Sequence, residues 1–377
     1  MLSNLRRTFL LVCALLSIAV SAQGAATLPQ HGRVLVPFIY ENAYSFQNGM
    51  GLVKRDGKWG YVDKTGREAI PCKYESYFPT DRITEELACL ADDDAWFGFL
   101  NKTGGVAIPF KYDEAWPFAE GMAMVKLNDK CGFIDKAGNL VVAHKYDFVF
   151  SFADSLAPVQ RDSKWGFIDR TGREVIPLKY DDADSFKEGL APVQTGELWG
   201  FIDKTGREVI ACKYELCEPF CEGMAGVLVD HRLGFINRTG KVIVKPKYEY
   251  DYPSGRYSEG MAVVRLKGKW GFIDKTGREV VPPAYSGADR FHGGLARVQK
   301  DGKWGYIDKK GRIVVPFRYA KASSFNEGLA GIQLNGKWGF IDKTGRAVIA
   351  PAYEETLSFS GGLAGAKLNG KWGFIGK

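Results

Sequence analysis

From Gly32 onward the apolar positions fall in short runs broken by turn residues, with none of the sustained three-and-four spacing that marks a helix. The stretch Leu295 to Tyr319 shows the unit: Leu-Ala-Arg-Val-Gln, then Trp-Gly-Tyr-Ile, then Ile-Val-Val-Pro, separated by two turn signals. The first signal, Asp301-Gly302, recurs as Asp56-Gly57, Asn335-Gly336 and Asn369-Gly370, dipeptides that supply the positive φ angles a tight hairpin needs. The second is Asp-Lys-Thr-Gly, as in Asp63 to Gly66, Asp203 to Gly206, Asp274 to Gly277 and Asp342 to Gly345. Here the Asp side chain accepts backbone N–H groups and Gly takes the left-handed exit, and Asn101 and Asn237 keep that role. The pattern predicts a three-stranded antiparallel meander. In its middle strand Trp165 and Phe167 face one way and Gly166 and Ile168 the other, so both faces need cover, with Gly expected to admit a neighbouring sheet. Pro177 is expected to end regular pairing in the third strand, Val175 to Tyr180, because it lacks a donor. The segment Asp181 to Gly189 that follows has Ala183 and Phe186 at helical spacing and room for one helical turn.

The unit repeats. Trp-Gly pairs at Trp59, Trp165, Trp199, Trp270, Trp304, Trp338 and Trp372 keep one register, and Phe97, Cys131 and Leu233 fill its gaps before their own glycines. The spacing is 34 residues, except 38 before Phe97 and 37 before Trp270. A tyrosine keeps step, from Tyr40 through Tyr180 to Tyr353, giving ten units. A lone three-stranded sheet is marginal, so the units are expected to stack and bury the repeated ring. The predicted repeat core is therefore Trp59, Phe97, Trp165, Trp199, Trp270, Trp304, Trp338 and Trp372. The chain opens on a third-strand sequence, Gly32 to Pro37, and stops after a second-strand sequence, Trp372 to Ile375, so the two ends together complete one unit. The fold class is all-β, ten tandem repeats of about 34 residues in a propeller-like stack. A closed ring seals both edges by pairing the ends. Ten units exceed the usual 4–8 blades, which keeps an open superhelix as the alternative.

These residues resemble the WG repeat family, bacterial tandem arrays with Gly-Leu-Ala, Gly-Lys-Trp-Gly-Phe-Ile-Asp, Thr-Gly, Val-Ile-Pro and Lys-Tyr in each unit. The resemblance covers essentially everything after the first thirty or so residues. It implies a β-rich repeat architecture with an interaction role and brings no catalytic residues with it.

Residues 1–22 read as a secretory signal peptide: Arg6 and Arg7, an apolar run from Phe9 to Val20, and small residues at Ser21 and Ala22. That run is short of the ~20 residues that span a bilayer, and Cys13 lies in its middle, where lipidation does not occur. Residues 23–31 form a linker and 32–377 the array. The expected location is periplasmic or secreted, with no stable membrane insertion after cleavage. The net charge of +7 falls to +5 without Arg6 and Arg7, and it is interspersed with acidic residues, which argues against a nucleic-acid partner. Six cysteines remain, and Cys217 and Cys221 are the candidate disulfide because they are close in the chain.

No nucleophile, phosphate-loop or metal motif is present in the sequence. The four histidines are scattered, and Cys212, Cys217 and Cys221 lack the paired spacing of a zinc site. The turn aspartates offer one carboxylate each, too few for calcium. Neither cofactor nor metal is expected. Candidate ligand contacts are Trp116, outside the repeated slot beside Pro117, and Lys58, Lys64 and Arg67, which stacking aligns into basic stripes. The expected function is that of an exported, non-enzymatic repeat protein binding a protein or envelope polymer. The alternative is a glycan hydrolase using Asp92, Asp93 and Asp94 in the irregular early repeats, residues that equally read as a solvated turn.

Overall fold

Each repeat folds into four antiparallel strands, one more than the sequence pattern predicts. The computed structural model describes residues 32–75 and 83–377, so the expected leader and linker, Cys13 and His31 lie outside the described residues. In the fifth blade the strands are Asp182–Ala183, Leu190–Thr195, Leu198–Asp203 and Glu208–Tyr214. The first has only two residues, Asp182 opposite Gln194 and Ala183 opposite Val193. It follows Tyr180 of the preceding blade after a single residue. The helical turn expected between Asp181 and Gly189 is therefore absent. Ala183 and Phe186 are buried, but from an extended segment that closes on Leu190 through a bridge at Lys187.

The glycine of each Trp-Gly pair has a different neighbour from the one expected. Trp165 pairs with Tyr180 and Phe167 with Ile176, so Pro177, Leu178 and Lys179 bulge out between the two pairings. The bulge arches over Gly166, where a Cβ would lie 2.5 Å from the Ile176 carbonyl oxygen and 2.8 Å from the Leu178 nitrogen. The glycine thus admits its own blade's fourth strand, not a neighbouring sheet. Pro177 suits the bulge because it has no N–H to pair, and pairing resumes at Tyr180 instead of ending.

Among the described residues the buried apolar side chains form ten clusters, each shared by two consecutive blades. In nine of them the unit is an edge-to-face or tilted ring pair, such as Phe201 with Phe220 at 4.7 Å and Phe167 with Phe186 at 4.9 Å between centroids. These rings are fully buried, whereas the Trp positions vary. Trp165 and Trp59 are covered by Phe150 and Tyr44. Trp199, Trp304 and Trp338 stay half-buried, since Asp184, Asp289 and Ser323 stand at the place of those covering rings. Of the predicted repeat core, Trp59, Phe97, Trp165, Trp270 and Trp372 are buried, and the deepest ring is the aromatic two residues later.

Neighbouring blades are also tied near the repeated tyrosine. Tyr40 donates to Glu68 at 3.1 Å and Tyr248 to Glu279 at 2.7 Å, each across one blade boundary. Where the glutamate is replaced by Val242, the buried Tyr214 hydroxyl has no hydrogen-bond partner among the described residues.

The ring is closed. Arg33–Tyr40 pairs with Lys371–Gly376 and supplies the fourth strand of the last blade. Phe46 of the first blade packs on Phe374 of the last, and Ser360 donates to the Phe46 carbonyl. The fold is a ten-bladed β-propeller, and the superhelix alternative falls away.

Candidate functional site on the axial wall

The short first strand and the turn after it carry the side chains that face the axis. One cavity of about 510 Å³ is lined by Glu120, Asp154, Asp184, Lys187, Pro219 and Arg256 among others. These residues come from five consecutive blades, which is possible only where the blades converge. The fourth strands, with alternating exposed side chains, lie at the outer rim.

At one end of the axis the turns form a carboxylate ladder. Glu120 accepts the Ser155 amide at 3.0 Å, Asp154 the Gly189 amide at 2.8 Å, Glu188 the Gly223 amide at 2.9 Å and Glu222 the Gly260 amide at 2.8 Å. Lysines of the next turns join it, Lys136 to Glu85 at 2.8 Å and Lys275 to Glu222 at 3.2 Å. The Lys136 ammonium and the Gly121 amide hold the Glu85 carboxyl below the ordinary range against the opposing effect of burial, which is the largest single influence on it. The ladder is a structural seam between blades.

Among the described residues the repeat is broken on this wall before Trp270. The longer linker before Trp270 places Tyr250, Asp251, Tyr252, Ser254 and Arg256 beside Glu218 and Arg290, around a cavity of about 470 Å³. Glu218 accepts from the Arg256 Nε at 2.6 Å and from the Tyr250 hydroxyl. Burial, then the Glu218 carboxylate, hold the Tyr250 phenol well above its usual range. Arg265 neutralises Asp251. Sequence reasoning missed this group. Its only signal was the 37-residue spacing, combined with two tyrosines and an arginine in the added segment.

The residues singled out from sequence are dispersed. Lys58 lies at the hairpin end of its blade, paired with Glu75 at 2.7 Å and Asp93 at 2.6 Å. Lys64 and Arg67 lie at the other end of that six-residue strand, roughly 20 Å away at 3.2–3.4 Å per residue. Arg67 is paired with Asp63 of its own turn, while Lys64 reaches over Gly361. Trp116 is partly buried against the cluster containing Met124 and Cys131, filling the space left where cysteine replaces tryptophan. Each turn aspartate is saturated by its own turn: Asp203 Oδ1 accepts from the Thr205 amide and hydroxyl and the Arg207 amide, and Oδ2 from Arg207 Nε. Asp92 accepts the amides of Asp94 and Trp96, so the early acidic trio is a turn. Cys217 and Cys221, the candidate disulfide, are free thiols: Cys217 is buried and Cys221 donates to the Tyr257 carbonyl. Among the described residues no cluster of three or more His, Cys, Asp or Glu is arranged to hold a metal.

A ring of this kind, with short repeated blades and its polar groups committed to turns and seams, defines a β-propeller repeat scaffold. The chain belongs to the WG containing repeat family, whose profile matches ten times, at residues 30–59, 59–88, 97–131, 132–165, 165–199, 199–230, 234–270, 270–304, 304–338 and 338–372. No curated protein matches it. Similar solved structures include a eukaryotic initiation factor at 11% identity and TM-score 0.48, covering 76% of this chain and 88% of that one. BamB from Moraxella catarrhalis is similar at 13% identity and TM-score 0.37, covering 70% and 96%. AztD from Citrobacter koseri is similar at 12% identity and TM-score 0.34, covering 81% and 92%.

Proposed function

We propose that the chain is an exported, non-enzymatic scaffold, periplasmic or secreted, that binds a protein or envelope polymer on its ring surface and takes no nucleic acid. The observation that carries this reading is the commitment of its ionisable groups. The carboxylates of the turns and of the axial ladder accept amides or pair with cations, and among the described residues no acid, base and nucleophile converge as a reaction requires. A wall shared by five blades offers an extended surface instead. Export is supported by the sequence of residues 1–22, and among the described residues no helix is long and apolar enough to cross a membrane.

The test is capture from the native envelope fraction by the purified protein, with the chain's own location and N-terminus read by fractionation and mass. Saturable capture by a chain lacking residues 1–22 is the expected result. Release of reducing sugar from envelope glycans, lost when Asp92, Asp93 and Asp94 are changed to Ala, would overturn it.

A further inference from the structure

We propose that the axial pocket where the sixth, seventh and eighth blades meet binds an acidic sugar residue of a polysaccharide, with Arg290 holding its carboxylate and Tyr252 stacking on its ring. The inference rests on the reading of the ring as a binder and narrows its ligand to one chemistry.

The pocket is built, not merely left over. Asp251 to Ser254 form a closed turn in which the Ser254 amide and hydroxyl donate to the Asp251 carbonyl and the Asp251 amide donates back to the Ser254 hydroxyl. Gly255 has φ +91°, and a Cβ on it would lie 3.1 Å from Glu218 Cγ. A Cβ on Gly226 would lie 2.6 Å from the Gly255 carbonyl oxygen. Two glycines thus let the added loop lie flat on the sixth blade, at a place that holds Pro158, Pro192 or Arg297 in three other blades and glycine again at Gly331 and Gly365.

Charge then singles out one residue. Arg256 is neutralised by Glu218 and Asp251 by Arg265. Arg290 donates its Nε to the Pro253 carbonyl at 3.1 Å and lies 5.8 Å from the centre of the Tyr252 ring. Among the described residues it has no carboxylate partner, and it lines the pocket with a guanidinium whose fork suits a carboxylate. Tyr252 beside it is 83% exposed, the most open large apolar side chain described. A flat exposed ring next to an unpaired guanidinium matches a pyranose with an apolar C–H face and an acid group. A neutral sugar uses only the ring, and an acidic peptide only the arginine.

Titration calorimetry of the purified protein with oligogalacturonate, its methyl ester, an oligoglucan of equal length and poly-glutamate tests this. Oligogalacturonate should bind, and the ester, the glucan and poly-glutamate should bind about tenfold or more weaker, a difference of ~1.4 kcal/mol. Tyr252→Ala and Arg290→Gln should each cost about tenfold, with unchanged thermal midpoints, and Lys337→Ala, at an exposed hairpin end, should cost nothing. Equal binding of poly-glutamate, or affinity untouched by both variants, overturns the proposal, as does absence of oligogalacturonate binding. If an envelope partner is captured equally by the wild type and by both variants, the scaffold reading stands and this site falls.

Discussion

The Phe46 and Phe374 rings come from opposite ends of the array and meet edge to face, 4.8 Å between centroids at 85°. The same contact joins Phe272 to Phe291 and Phe340 to Phe359 within the chain, so the seam is built like any other blade boundary. Closure adds the strand Arg33–Tyr40 on Lys371–Gly376. Deleting residues 32–40 should therefore lower the unfolding temperature of the whole ring, and hydrogen exchange should show lost protection in both the first and last blades. Loss confined to the first blade would contradict the closed ring.

A second prediction separates the two rings of the Trp-Gly-Phe strand. Trp199 is half-buried with Asp184 at the covering position, while Phe201 is fully buried on Phe220. Phe201→Ala should cost about 3–5 kcal/mol, the usual range for a buried aromatic. Trp199→Ala should cost less than half of that, and Trp165→Ala, under Phe150, should fall between them. Chemical denaturation of the three variants checks the order.

The periodicity of Trp, Gly and Tyr made the array, its count and the meeting of its ends legible. The first strand was not, because two residues such as Asp182 and Ala183 have no alternation to read, and Ala183 with Phe186 imitates a helical spacing. The purpose of Gly166 was hidden for another reason: its neighbour is a bulge, and a bulge is a mismatch between two strands that neither sequence shows alone. The axial pocket needs Glu218, Arg256 and Arg290 from three successive blades, and only the ring brings them together. Trp116, a candidate ligand contact from its place beside Pro117, packs partly buried against the cluster containing Cys131, a neighbour that the linker sequence alone does not show.

The glycine of the repeated pair gives a sharp test. A Cβ on Gly200 would sit 2.5 Å from the Ile210 carbonyl oxygen and 2.6 Å from the Cys212 nitrogen, both backbone atoms that cannot rotate away. Gly200→Ala, a change of one methyl group, should destabilise by more than the ~1–3 kcal/mol typical of overpacking in a core. Gly196→Ala, at a turn with nothing within 4 Å of its Cβ but with φ +62°, should cost only about 1–2 kcal/mol for the left-handed backbone. Equal losses would mean the fourth strand can move off its bulge.

At the blade boundary before Val242 a partner can be restored. Among the described residues the buried Tyr214 hydroxyl lacks an acceptor, while Tyr248 has Glu279 at the equivalent place. Val242 is 47% exposed, so a glutamate there keeps its outer atoms in water. Val242→Glu should raise stability by about 0.5–1.5 kcal/mol, the net worth of one hydrogen bond, and Glu279→Val should lower it by a similar amount. Thermal or urea unfolding of the two variants measures both, and a loss in Val242→Glu would refute the pairing.

The turn aspartates set the acid limit. The Thr205 hydroxyl leads the bonds that bring the Asp203 carboxyl down to about 2 from its ordinary 3.8, and Asp63, Asp169, Asp274, Asp308 and Asp342 are lowered in equivalent turns. The folded state thus holds its turn carboxylates ionised where the unfolded chain takes up protons. For Asp203 that contribution is complete above about pH 4 and is lost as pH falls through the folded value of about 2, and the other turn aspartates, lowered likewise, lose theirs as pH falls below the ordinary carboxylate range. The fall should be steep because several turns titrate together. Asn237 already fills this place and accepts from Thr239 and Lys241 without a charge, so Asp203→Asn keeps the turn while removing one titration. Urea midpoints measured from pH 6 to pH 2 should decline less for Asp203→Asn than for the unaltered chain, and less again when Asp274 and Asp342 are changed with it. An unchanged decline in the triple variant would place acid sensitivity elsewhere, in the axial ladder of Glu85, Glu222 and Glu259, whose carboxyls are also lowered.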